Sequence, residues 1–178
     1  MPKIGEFGFI NESTGGGGGN TFAPFYGSFY DTTTQTCPSG GVVAMKLNSA
    51  DLTCTSGFTI ANDTLGNPTR ITATYTGVYD LEFSAQLYRV SGGTRKTATI
   101  WIRVSEVNVP NTATIVTLQA NADYLVASWN WLVNLNAGQY VEIMWSQNDD
   151  IQIEYVSEDL ITPHPAVPSV IATICKIN

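Results

Sequence analysis

A chain of 178 residues, 43% apolar and 11% aromatic, can bury one substantial core without disulfides or metals and is too short for two large domains. Only 13% of residues are charged, about half the usual share of roughly 25%, and fifteen acidic against eight basic side chains leave a formal charge of −7. Lys and Arg cluster nowhere beyond Arg95-Lys96, which excludes the electrostatic footprint of a nucleic-acid binder and disfavours an anionic membrane surface.

Residues 1–24 differ in character from the rest of the chain. An apolar patch of Ile4, Phe7, Phe9 and Ile10 precedes five consecutive glycines, Gly15 to Gly19, and such a run has no cheap fixed backbone. The segment reads as an arm: a flexible tether with an adhesive tip, or an extended peptide that orders when it lies on something else.

From residue 25 onward the pattern is that of strands. No window of eleven or more residues places apolar side chains at i, i+3, i+4 and i+7 with caps, so no helix is predicted. Segments 25–30, 42–48, 57–61, 70–75, 78–90, 97–104, 112–119, 124–135, 139–145, 151–155 and 169–177 are rich in β-branched and aromatic residues. Turn chemistry separates them, as in Gly66-Asn67-Pro68, Ser91-Gly92-Gly93 and Asn136-Ala137-Gly138. Alternation assigns the faces. Tyr79, Leu81, Phe83, Ala85 and Leu87 share one side of their strand while Asp80, Glu82, Ser84 and Gln86 share the other; Ala98, Ile100, Ile102 and Val104 repeat the pattern, as do Leu125, Ala127, Trp129, Trp131 and Val133. Short strands without intervening helices predict an all-β antiparallel sandwich or jelly roll over residues 25–178.

Two segments carry bulk on both faces. Val141, Ile143 and Trp145 oppose Tyr140 and Met144, and 170–174 is apolar on both sides, Ile171 included. A strand with two apolar faces needs two dry environments, the second being a partner subunit or the chain's own arm. Tyr140, Met144 and Ile171 are therefore the candidate contacts of a homo-oligomer.

Candidates for chemistry are few. His164 is the only histidine and lies between prolines in Thr162-Pro163-His164-Pro165, an extended connector. No Gly-x-Ser-x-Gly elbow and no zinc-ligand spacing occur. Asn148-Asp149-Asp150 and Glu158-Asp159 read as solvated acidic turns, with an oxygen-rich cation site or a carboxylate pair for glycoside hydrolysis as the functional alternatives. Trp101 points away from Ile100 and Ile102, as a glycan or receptor platform or as part of a subunit contact. Cys37, Cys54 and Cys175 follow no CxxC spacing, which predicts reduced thiols with at most one bridge, Cys37 to Cys54. With no membrane-length apolar run and no basic-then-apolar N-terminus, the chain reads as soluble and unexported, without a cofactor or metal and without catalytic residues.

Three stretches taken together carry a resemblance: 75–86 (YTGVYDLEFSAQ), 100–103 (IWIR) and 137–145 (AGQYVEIMW). This series resembles the jelly-roll module shared by the globular head of the first complement component and tumour necrosis factor, and covers about residues 25–178. A closer resemblance is to the version carried by virion proteins of tailed bacteriophages, through Tyr26-Gly27-Ser28-Phe29-Tyr30, Val109 to Thr112, Ala127 to Asn130 and Pro165-Ala166-Val167-Pro168-Ser169-Val170-Ile171. At Ser105-Glu106 the chain departs from the pattern, lacking the Asn-Gly that a tight hairpin favours.

The resemblance implies a jelly roll of about ten strands in two sheets, assembled as a homotrimer. In the complement-head group, some relatives hold calcium near the threefold axis; the family does not supply an enzyme. The expected role is a structural virion protein of a tailed bacteriophage, a capsid decoration or cement protein held to the major capsid protein or another virion protein through Ile4, Phe7, Phe9 and Ile10. The alternative is a receptor- or glycan-binding tip of a tail or head fibre. In either case the Gly92-Gly93 and Asn148-Asp149-Asp150 turns are expected at the end away from the arm.

Overall fold

The computed structural model describes residues 25–178 apart from 93, 121 and 149. The candidate attachment patch (Ile4, Phe7, Phe9, Ile10) and the glycine run lie outside the described residues, as do Gly93 and Asp149 of the two turns expected at the far end.

The strands are, in chain order, β1 (Tyr26–Asp31), β2 (Gln35–Thr36), β3 (Val42–Ala44), β4 (Ser49–Ala50), β5 (Phe58–Asn62), β6 (Pro68–Ala73), β7 (Gly77–Arg89), β8 (Lys96–Val104), β9 (Val107–Asn108), β10 (Thr114–Leu118), β11 (Tyr124–Leu135), β12 (Tyr140–Gln147), β13 (Ile151–Ile153) and β14 (Val170–Lys176). Every predicted segment contains a strand, although 42–48 shortens to β3 and 151–155 to β13. The additional β2, β4 and β9 have two residues each, too few to show a period. A single 3-10 turn, Leu52–Cys54, is the only helical element among the described residues.

All strand pairs are antiparallel and form two seven-stranded sheets, an all-β jelly-roll-like sandwich. In the first sheet, hydrogen-bonded neighbours run β2-β13-β7-β14-β1-β4, and β11 lies along the other side of β7 from Tyr124↔Tyr88 to Leu135↔Gly77. In the second they run β10-β8-β12-β6-β5, with β3 also on β12 and β9 on β8.

The inward rows supply the core. Tyr79, Leu81, Phe83, Ala85 and Leu87 of β7 are buried against Ile100 and Ile102 of β8 and Val141, Ile143 and Trp145 of β12. Burying each large side chain contributes about 1.5–3 kcal/mol. Phe83 sits in an aromatic cluster, stacked on Trp131 with centroids 5.1 Å apart and edge-to-face with Trp129 at 4.7 Å.

The β8–β9 hairpin forms tightly despite the missing glycine. Val104 pairs with Val107 and Arg103 with Asn108, leaving Ser105 and Glu106 as a two-residue loop with φ of 44° and 69°. Positive φ at both positions is the twist-matched turn that Asn-Gly normally provides. For residues with a Cβ it costs about 1–2 kcal/mol each. The Ser105 N–H donates to the Tyr140 carbonyl at 3.0 Å, and the Glu106 side chain is anchored by arginines of β6 and β8.

The two ends of the sandwich differ. Residue 25 enters beside the C-terminal strand, where the Lys176 N–H donates to the Phe25 carbonyl at 2.8 Å. At the other end Arg89 pairs with Ile151, the Val90 N–H donates to the Asp150 carbonyl at 2.9 Å, and the Ser91 hydroxyl donates to the Asp150 carboxylate at 2.9 Å. Gly92, Asn148 and Asp150 therefore lie at the end opposite residue 25.

Phe83→Ala is expected to cost about 3–5 kcal/mol and to lower Tm by on the order of 10 °C. Urea and thermal unfolding of the variant beside the parent chain measure both.

Candidate functional site

Two outward faces carry the features that a function could use. On the second sheet, alternation turns Val141, Ile143 and Trp145 inward and Tyr140, Glu142 and Met144 outward. Register then sets Glu142 beside Arg103 and Met144 beside Trp101 on β8, while Tyr140 lies opposite Thr72 of β6.

Glu142 is fully buried. One of its carboxylate oxygens accepts from Arg103 Nε at 2.9 Å and Nη2 at 2.7 Å; the other accepts from the Thr69 hydroxyl at 2.8 Å, with Arg70 Nε 3.6 Å away. Glu106, brought over by the hairpin, pairs with Arg70, lies 3.2 Å from Arg103 Nη1, and accepts from the Tyr140 hydroxyl at 2.9 Å. The Arg70 guanidinium also stands 4.4 Å from the centre of the Tyr140 ring. Two arginines thus face two glutamates, and a buried carboxylate is tolerable because its partners are in place. Burial and the Glu106 hydrogen bond raise the Tyr140 phenol above its ordinary value, with Arg70 acting in the opposite direction.

This cluster forms one wall of a cleft of about 400 Å³. Met144, only 3% exposed, also lines it, with β3, Gln35, Lys46 and the turn that holds Asp63 and Asn67. Burial works against the charge on Asp63, but hydrogen bonds from Asn67 and Leu65 and the nearby Arg70 hold its carboxyl below the usual range. Trp101, half-buried on the same face, donates from Nε1 to the Asn108 side chain at 2.8 Å.

The outward face of the first sheet is different. Its rows run across four strands in register: Tyr30, Ile171, Ser84 and Ser128; then Ser28, Thr173, Glu82 and Asn130; then Tyr26, Cys175, Asp80 and Leu132. Leu132 is 66% exposed, Val126 54%, Tyr124 53%, Tyr26 41% and Ile171 40%. Small serines and an Asn130–Asp80 hydrogen bond of 2.8 Å separate these apolar positions. The Glu154 carboxylate beside it, with some desolvation, pushes the Tyr124 phenol up to about 12.

The three contacts anticipated from sequence do not share a surface. Tyr140 and Met144 come together on the second sheet, engaged with Glu106, Arg70 and the cleft, whereas Ile171 faces outward on the first. Sequence reasoning passed over Val126 and Leu132, whose outward alternation against Leu125, Ala127 and Val133 was the available signal. It also passed over Arg70, Arg103, Glu106 and Glu142, whose pairing, apart from Arg103 with Glu106 across one hairpin, depends on strands distant in sequence.

The remaining candidates have local roles. His164 is exposed in the excursion between β13 and β14, forms a backbone bridge with Asp159, and places Nδ1 2.7 Å from the Pro165 carbonyl. The Asp159 carboxylate accepts from the Ile161 N–H and the Thr162 hydroxyl within its own turn, which holds its carboxyl below the ordinary range. The three thiols are free: Cys37 is buried, with burial pushing its thiol up, while Cys54 and Cys175 are exposed and line one groove of the first sheet. Among the described residues no group of three or more His, Cys, Asp or Glu could hold a metal ion. In comparisons with known proteins, neither a family model nor a curated protein matches the chain.

Removing one cation from the buried cluster exposes its dependence on pairing. Arg103→Met is expected to cost about 3 kcal/mol, and Glu142→Leu in the same chain to recover most of that loss; a double-mutant cycle in urea reads the coupling. A separate effect belongs to Tyr124. Its proton is held more tightly in the folded chain than in the unfolded one, so this contribution is complete below about pH 10 and is lost as pH rises towards about 12. Urea midpoints at pH 9 and pH 11.5 should diverge less in Tyr124→Phe than in the parent.

Proposed function

We propose that this chain is a structural, non-enzymatic virion protein of a tailed bacteriophage, a homotrimer that decorates or cements the capsid. The observation that carries the proposal is the outward face of the first sheet of a jelly-roll-like sandwich, where five large apolar side chains stand 40% or more exposed, three of them (Tyr26, Ile171 and Leu132) in rows registered across four strands. Exposed apolar side chains gathered on one sheet face suit a contact surface, even with polar residues between them, and a standard interface needs roughly 800 Å² from each partner. The sequence resemblance to trimeric virion modules supplies the setting.

In such a trimer the first sheets face inward, so Ile171 belongs to the contact, while Tyr140 and Met144 remain on the outer wall. Residue 25 enters at the end opposite Gly92, Asn148 and Asp150. Attachment through Ile4, Phe7, Phe9 and Ile10 to the major capsid protein or another virion protein then holds those loops away from the particle. A receptor- or glycan-binding tip of a tail or head fibre is the second reading, and what favours it is the polar cleft on the second sheet.

Sedimentation equilibrium should give a trimer for the full chain and a monomer for Leu132→Lys combined with Ile171→Lys, with both folded by circular dichroism. A monomeric parent chain would overturn the assembly. Deleting residues 1–24 should leave a folded trimer that no longer joins stripped particles; a truncated chain that still joins them would place the anchor elsewhere. Copy number per particle separates decoration, with many copies, from a fibre, with few.

A further inference from the structure

Arg89 closes β7 at the end of the sandwich opposite residue 25, and its side chain falls on the inward row with Leu87 and Ala85. It is 4% exposed. Nη1 donates to the Ala120 carbonyl at 2.5 Å, while Nε and Nη2 are buried and have no hydrogen-bond partner among the described residues. None of the ion pairs among the described residues includes Arg89.

A second cation faces inward from the opposite sheet at the same end. Lys96 opens β8 in line with Ala98 and Ile100 and is 9% exposed. Gln147 shares this end of the core, pairing with Ala98 across β12 and β8 and accepting the Ile151 N–H at 3.3 Å, while Ile151 itself pairs with Arg89. The neighbouring Asp150 carboxylate accepts from Ser91.

A guanidinium removed from water with one edge left without acceptors is costly. The position of the two orphan donors indicates what relieves that cost. Nε–H and Nη2–H lie on one edge of the planar group and point the same way, the fork that meets two oxygens of a carboxylate or phosphate. The opposite side of the group is already fixed by Ala120. We propose that this edge of Arg89 is a binding site for a small oxyanion, a carboxylate or phosphate group, with Lys96 contributing the second positive charge. The site is separate from the oligomer surface and does not depend on the virion role.

The test uses the full chain at constant ionic strength set with chloride. Inorganic phosphate and acetate are titrated in separate arms, which distinguishes the two oxyanion classes. Thermal unfolding and the Arg89 Nε–H resonance, assigned by its loss in Arg89→Lys, are the readouts. At least one oxyanion should raise Tm by about 5 °C at a hundredfold excess over its Kd and move the resonance, and Arg89→Lys should lose that rise. The proposal is overturned if both oxyanions leave Tm and resonance at their chloride values, or if Arg89→Lys keeps the full rise. Arg89→Gln adds a neutral variant; if it does not fold, the parent spectrum together with Arg89→Lys still decides.

Discussion

Strand β7 pairs with β11, β13 and β14, and its unbroken alternation over thirteen residues determines which faces the molecule has. A slip of one residue against β11 would turn Phe83 and Leu81 to solvent and bring Asp80 and Glu82 into the core. The register is held by bulk on the inward side, where Phe83 meets Trp129 and Trp131, and it propagates outward through β14 to β1. The rows on the first sheet's outer face are therefore a by-product of core packing. Ile171 aligns with Ser84 and Ser128 because Ala172 aligns with Phe83 and Trp129.

The long strands were legible because their inward residues are apolar and their outward residues polar over many positions, as in β7, β8 and β11. Paired strands of two residues have no period to read, so β2, β4 and β9 left no trace. Alternation also specifies a face without specifying what lies on it. Glu142 sits at an outward position of β12, where a carboxylate would normally be solvated, and becomes fully buried because Arg103 and Thr69 come from other strands. Bulk on both sides of β12 led to a partner subunit or the arm as its second cover, whereas Met144 is buried along the chain's own cleft. Arg89 shows the converse: a cation at an inward position looks like the end of a strand until the neighbouring loops are in place.

The two sheets present different physics to whatever surrounds them. The outer face of the first is open, weakly polar and organised in rows, suited to contact over area. That of the second is organised by paired charges in which each arginine is met by a carboxylate, so its net charge is small despite its polarity. An association through the first face rests on burial but brings the Asp80 and Glu82 carboxylates of neighbouring copies together, so added salt favours it by screening them, whereas any contact at the second must exchange ion pairs that salt weakens.

The Ser105-Glu106 turn constrains how this chain can drift. Its backbone would be more comfortable with Asn-Gly, yet Glu106 supplies a carboxylate to both Arg70 and Arg103. Replacing Glu106 first relieves the loop but leaves two guanidinium groups sharing the buried Glu142. Neutralising an arginine first strands Glu142 with a single cation. Each of these steps loses something that the other residue had supplied, so strain at position 106 can be relieved without loss only when a compensating change on β6 or β8 accompanies it, whereas position 105 is free to change alone.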